Sequence, residues 1–195
     1  MVGGGVSDEQ LMIRVMAGDM EALGVLFERY KQPLYGFLHR LLHDVAWAED
    51  LTLDVFLRIY DRRRTYKPGF KFSTWLFTIA HNLAADGMRR SSRNEIPVDY
   101  PDDFASAPAH HPPEACERAE LADTVRLAVM ALPDDQRLVI LLREFEGFSY
   151  REIAEVLGAN EETVRVRAHR ARQSLRKALA DYCEESSPAA VTFSP

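Results

Sequence analysis

Apolar residues recur at every third or fourth position through most of this chain, and no strict alternation or hairpin dipeptide competes with them. That spacing predicts helices and no sheet. Ser7 and Gln10 read as a capping box opening a first helix that carries Leu11, Val15 and Met16. Past Gly18-Asp19, a second helix carries Leu23, Leu26, Phe27 and Tyr30. It should kink or break at Pro33 before Phe37, Leu38, Leu41 and Leu42 resume the pattern. A third helix, from about Trp47 to Tyr60, sets Ala48, Leu51, Val55 and Ile59 on one face and Glu49, Asp50 and Asp54 off it. Lys67-Pro68-Gly69 marks a loop, and a fourth helix should run from about Ser73 to Arg90.

Residues 95–113 lose this period and fill with Pro, Ala and Asp, as expected of a flexible acidic linker. Helical spacing returns with Leu121, Val125, Ala128 and Leu132. After Pro133, Leu138, Leu141, Leu142 and Phe145 form another stripe that Gly147 ends. Ser149 with Glu152 makes a second capping box, for a short helix bearing Ile153, Val156 and Leu157. Gly158-Ala159-Asn160 supplies a left-handed stop and a new N-cap. In the helix that follows, Val164, Ala168, Ala171 and Leu175 face inward, while Glu162, Arg165, His169, Arg172 and Arg176 line the other side. The expected architecture is all-α: a helical domain over 1–94, the linker over 95–113, a second domain over 114–181 ending in a helix-turn-helix, and a tail over 182–195.

Charge sharpens this picture. The net charge is -6, unpromising for a nucleic-acid binder until it is mapped. Residues 58–93 hold nine basic residues against two acidic ones, and residues 163–177 hold six basic residues and no acid. Two basic islands thus stand in an acidic chain, one in each expected domain. In the second, the geometry suits a recognition helix in a major groove, with side chains on base edges and arginines on phosphates. In the first, Asn82, Asp86, Arg89 and Arg93 share a face of the fourth helix. Tyr66, Phe70, Phe72 and Trp75 precede or open that helix, interleaved with Lys67 and Lys71, a mixture suited to unstacked bases. Core packing is the competing expectation for Phe72 and Trp75.

With these residues in view, the chain resembles the extracytoplasmic-function (ECF) sigma factors of the sigma-70 family. Ala48 to Thr52, with Val55 to Arg58, is similar to the segment that docks on the polymerase clamp. Phe72-Ser73-Thr74-Trp75-Leu76, with Asn82, Asp86, Arg89 and Arg90, is similar to the helix that reads the -10 element. Leu132-Pro133, Gly147 to Tyr150 and Glu152-Ile153-Ala154 resemble the start of sigma domain 4. Thr163 to Arg172 resembles its -35 helix. The likeness runs from about residue 8 to 179. It implies that Asp50, Leu51, Asp54 and Phe56 touch the β′ clamp helices of core RNA polymerase, with further docking on the β flap. It implies -10 contacts from Lys71, Asn82, Asp86, Arg89 and Arg90, with Asn82 reading a flipped base. It implies -35 contacts from Arg165, Val166, Arg167, His169, Arg170 and Arg172. An anti-sigma factor is a further implied partner. Two positions depart from the family pattern: Leu53 stands where Gln is usual, and Val166 where Ser is common.

The implied function is promoter-specific transcription initiation, with no catalysis by the chain itself. A stand-alone helix-turn-helix regulator is the alternative, but it leaves the first domain unexplained. His39 and His43 have a spacing that can hold a metal, yet no carboxylate stands at the spacing of a zinc motif, so no metal or other cofactor is expected. No P-loop or nucleophile elbow is present. Cys116 and Cys183 are isolated, and no apolar run approaches the roughly 18 residues of a membrane span. With no signal pattern in Met1 to Ser7, the expected location is the cytoplasm and membrane insertion is not expected.

Overall fold

A computed structural model of the chain describes residues 6–93 and 113–180, the side chains of 91–93 and 113–120 excepted. Of the expected linker over 95–113 only Pro113 is described, as the first residue of a helix, and the tail over 182–195 lies outside the described residues. Within them the protein is all-α, in two helical units. The first comprises α1 (Asp8–Met16), α2 (Met20–Leu42), α3 (Val45–Asp61), a 3-10 turn over Arg63–Thr65, and α4 (Phe72–Arg93). The second comprises α5 (Pro113–Met130), α6 (Asp134–Ile140) with a π-helical turn over Leu141–Phe145, α7 (Tyr150–Leu157) and α8 (Glu161–Ala178).

The helix starts follow their local chemistry. The Ser7 hydroxyl accepts from the Gln10 amide, and the Gln10 side chain accepts from the Ser7 amide in return. Asp19 caps α2 and Asp44 caps α3. α4 opens with its Phe72 amide donating to Glu9 of α1 at 3.2 Å, so a carboxylate from another helix caps it. Of the expected kink or break at Pro33, the break does not occur, because α2 runs unbroken through it. Proline there forfeits one backbone hydrogen bond, a local cost of about 3 kcal/mol. Leu26, Leu34, Phe37, Leu38 and Leu41 are nearly or wholly inaccessible on the same helix, and burying them outweighs that loss.

Edge-to-face rings knit the first core: Phe27 on Phe56, Phe37 on Phe77, and Tyr30 on Phe72. α3 and α4 approach closely where Gly87 faces Trp47. A Cβ at Gly87 would lie 2.3 Å from Trp47 Cζ2, so only glycine fits. In the second unit, Leu138 to Leu142 are all buried, whereas Phe145 ends the stripe exposed. On α5, Val129 is buried, while Leu121 is exposed.

The two units also pack on each other. Phe77 of α4 meets Phe148, just before α7, edge to face with ring centroids 5.1 Å apart, and both are almost fully buried. Lys71 pairs with Glu152 of α7 at 2.7 Å. At the far end of α2, Arg40 lies 4.4 Å from the Phe145 ring centre and 4.0 Å from Glu146. Arg137 of α6 donates to the Leu41 carbonyl at 3.4 Å and stands 3.2 Å from His43 Nε2.

Candidate nucleic-acid interface

The helix-turn-helix forms as its sequence dictates. The Ser149 and Glu152 side chains complete the capping box of α7, and Gly158 takes the left-handed conformation with φ 60°. The Asn160 side chain accepts from the Thr163 amide to start α8. Val164, Ala168 and Ala171 are buried, which turns Arg165, Val166, His169, Arg170 and Arg172 outward. Arg165 pairs with Glu161 on its own helix. Arg172 donates to Tyr150 Oη and to Glu144, each at 2.8 Å. Arg167 behaves differently. It is half-buried and turned toward α6, where it pairs with Asp135 at 3.1 Å.

Tyr150 escaped the sequence reading. Its ring lies 4.9 Å from the Arg143 guanidinium and 5.2 Å from that of Arg165, while its hydroxyl holds Arg172. One aromatic residue at the first turn of α7 thereby organises cations on the π-helical turn and on α8. Its only signal was its place directly after the Ser149 cap.

In the first unit, Lys71, Trp75, Thr78, Asn82, Asp86 and Arg89 follow one another along one side of α4. Asn82, Asp86, Arg89 and Arg90 are exposed, and Asp86 is paired with Arg89. The head of this stripe opens into a cleft of about 340 Å³. Tyr66, Phe70, Trp75, Lys67 and Lys71 form part of its wall, as do Thr65, Thr74 and Thr78. The aromatics divide: Phe72 is wholly core and the Tyr66 ring is nearly so, Trp75 is half-buried, and Phe70 is exposed. The Tyr66 hydroxyl donates to the Phe70 carbonyl and so shapes the loop. The Thr74 hydroxyl in the cleft wall is buried without a hydrogen-bond partner. Glu155 of α7 adds to the cleft wall from the other unit.

The expected clamp residues differ in exposure. Asp50 and Asp54 are exposed on α3, but Leu51 and Phe56 are 5% and 6% accessible and point into the core. The helical period explains this, because Leu51 and Phe56 share the inward side with Ala48, Thr52, Val55 and Ile59. The apolar surface beside the two aspartates belongs instead to Leu53 and Leu57, which are 56% and 63% accessible.

The histidine pair does not assemble as a metal site. His39 stacks on Tyr35, while His43 caps α2 in the left-handed region at φ 58° and faces Arg137. Burial, with Arg137 adding to it, pushes the His43 imidazole down to about 4. No helix among the described residues is long and apolar enough to cross a membrane.

A two-unit helical protein with a cationic helix-turn-helix is a DNA-binding architecture, and the comparisons name its family. Residues 26–94 match Sigma-70 region 2, and residues 122–175 match Sigma-70, region 4. The chain is 33% identical to the RNA polymerase sigma-H factor of Pseudomonas aeruginosa, over 92% of this chain and 97% of that one. It is also 33% identical to the ECF RNA polymerase sigma factor SigW of Bacillus subtilis, over 86% and 94% respectively. Among solved structures it is similar to the sigma factor RpoE of Bartonella quintana in complex with the anti-sigma factor NepR. That match has a TM-score of 0.63 and 25% identity, over 80% of this chain and 96% of that one. The chain belongs to the ECF group of the sigma-70 family. Such factors direct promoter-specific transcription by RNA polymerase and are not themselves enzymes.

Proposed function

We propose that this sigma factor works in the cytoplasm, docks on core RNA polymerase through α3 and the β flap, and reads two promoter elements with two helices. Residues 1–94 act as sigma domain 2 and 114–181 as sigma domain 4, joined by the linker over 95–113. Asp50 and Asp54, flanked by exposed Leu53 and Leu57, meet the β′ clamp helices; Leu51 and Phe56 shape that surface from beneath. α8 enters the -35 major groove with Arg165, Val166, His169 and Arg170, and Arg167 and Arg172 hold its backbone side. Lys71, Asn82, Asp86, Arg89 and Arg90 follow the -10 strand along α4.

The cleft at the head of α4 carries this reading. It joins aromatic faces, two lysines and an unpaired Thr74 hydroxyl, which together suit an extruded base and its phosphates. RpoE of Bartonella quintana is found with an anti-sigma factor, and an inhibitor of that class is the expected regulator here. Run-off transcription with core polymerase tests the whole assignment. Wild type should initiate at a cognate promoter, and Asp50→Arg or Leu53→Asp should weaken core binding in a pull-down. Full core retention by both variants removes α3 from the docking surface.

A further inference from the structure

α8 sorts its outward side chains into a crest and two flanks. The buried Val164, Ala168 and Ala171 set its inward direction. At about 100° per residue, Glu162 and Val166 then lie opposite them, about one turn apart, and both are exposed. Cations stand to the sides. Arg165 and Arg172 lean toward Tyr150, the first with its guanidinium 5.2 Å from the ring centre and the second donating to the hydroxyl at 2.8 Å. On the other side Arg167 pairs with Asp135 at 3.1 Å. The crest from Glu162 to Val166 therefore carries one carboxylate and one apolar side chain, and no cation.

An exposed carboxylate on a DNA-facing helix needs a reason, because phosphates repel it. The positive end of the helix supplies one, but Asn160 already caps α8 and Glu161 already stands in its first turn. Glu161 is engaged by Arg165, whereas Glu162 has no ion pair or side-chain hydrogen bond among the described residues. Val166, one turn further on, is 40% accessible and can neither donate nor accept a hydrogen bond. Both side chains are thus poor partners for a phosphate and sound partners for particular base edges.

We infer that this crest sets two positions of the α8 sequence preference: Glu162 accepts from the exocyclic amine of a cytosine, and Val166 covers the 5-methyl group of a thymine. The inference rests on the placement of α8 in the -35 major groove proposed above. An ionised carboxylate only accepts, so among major-groove edges it suits the cytosine N4 amine. Adenine sets its N7 acceptor beside its own amine, and guanine and thymine present acceptors. An aliphatic side chain has one partner in that groove, the thymine methyl. Four residues advance α8 by about 6 Å, or roughly two base steps of about 3.4 Å, so the two bases belong about two pairs apart. Arg165, Arg167 and Arg172 flank these contacts on the sides where the phosphates run.

A promoter library randomised across the -35 element, selected by holoenzyme containing the full chain, tests this. Wild type should favour cytosine about tenfold at one position and thymine about two pairs away. In a selected duplex, replacing that thymine by deoxyuridine should weaken binding about fourfold, which is what one buried methyl group contributes. Glu162→Gln keeps an acceptor and gains a donor, the pattern that fits adenine N6 and N7. Its preference should therefore move from cytosine to adenine at the same position, a switch that a misfolded helix cannot produce. Val166→Ser should bind the thymine and deoxyuridine duplexes alike. Removing the Glu162 charge should also raise affinity for all sequences; that rise alone, with the cytosine preference intact, overturns the inference. Unchanged preferences in both crest variants, with altered ones in Arg165→Ala or Arg170→Ala, overturn the crest while α8 stays in the groove. If no α8 variant changes any preference, the placement of α8 falls as well.

Discussion

The two cationic helices carry similar chemistry and differ in who holds their charges. On α8, Arg165, Arg167 and Arg172 are partnered by Glu161, Asp135 and Glu144, all within the second unit. These pairs sit at partly exposed positions, where an ion pair contributes little. Just before α4, the lysine at the head of the stripe is held by a carboxylate from the other unit, and Glu155 of the same helix lines the cleft behind it. On the proposed function, α8 keeps its cations on partners of its own unit, whereas the lysine beside the cleft answers to a carboxylate of the other unit.

The contrast can be broken most severely from beneath α4. Gly87→Leu forces side-chain atoms into Trp47 and should lower the melting temperature of the first unit by about 10 °C or more. α8 should keep its helicity and its duplex binding. A calorimetric trace unchanged from wild type would mean that α3 and α4 are not tightly apposed. Next in size is the α8 face. Arg165→Ala and Arg170→Ala should each cost about 1–3 kcal/mol of promoter affinity within holoenzyme. The residue that reads a base should also relax discrimination at one -35 position, whereas a phosphate contact weakens all sequences alike. Wild-type binding by both variants would turn α8 the other way round.

Asn82→Ala should be milder and confined to opening. Closed complexes should form normally, while the open complex loses about 1 kcal/mol, roughly fivefold in population. A template already unpaired across -10 should recover part of the loss, as read by permanganate footprinting. Normal melting would move base reading onto the cleft around Trp75.

The smallest effect should be a dependence on pH at the α2–α6 contact. His43 there faces Arg137, His39, Arg126 and Asp134, and its value is depressed to about 4 by burial and those cations. A depressed histidine contributes its full support to the folded chain above its ordinary value of 6.5, and loses it as pH falls toward 4. Glu146, raised by burial against the pull of Arg40, has the opposite sign. Acidifying from pH 7.5 to 5.5 should therefore lower the melting temperature modestly, and His43→Gln should flatten that response.

Local chemistry was legible in the sequence and long-range packing was not. Ser7–Gln10, Ser149–Glu152, Gly158 and Asn160 announced their caps because each acts within four residues of itself. That α2 continues past Pro33 was not legible for the same reason, since a local rule says nothing of the apolar surface that the helix buries on both sides of it. The inward turn of Leu51 was already present in its spacing with Val55 and Ile59, and the family likeness drew attention to its position while leaving its direction aside. The meeting of Phe77 with Phe148, and of Arg40 with Glu146, leaves no periodic trace because the partners belong to helices distant in the chain. The cleft shares that history, with Glu155 arriving from the second unit.

Gly87 against Trp47 has a mechanical consequence. The outer side of α3 carries Asp50, Leu53 and Asp54, and the outer side of α4 carries Asn82 and Arg89; between them lies a joint with no room for one methyl group. Dense interiors transmit displacement instead of absorbing it. A tilt imposed on α3 therefore swings α4 through the same angle, like two blades riveted to one handle. In the proposed docking, the place where the polymerase grips α3 would fix where α4 holds the strand.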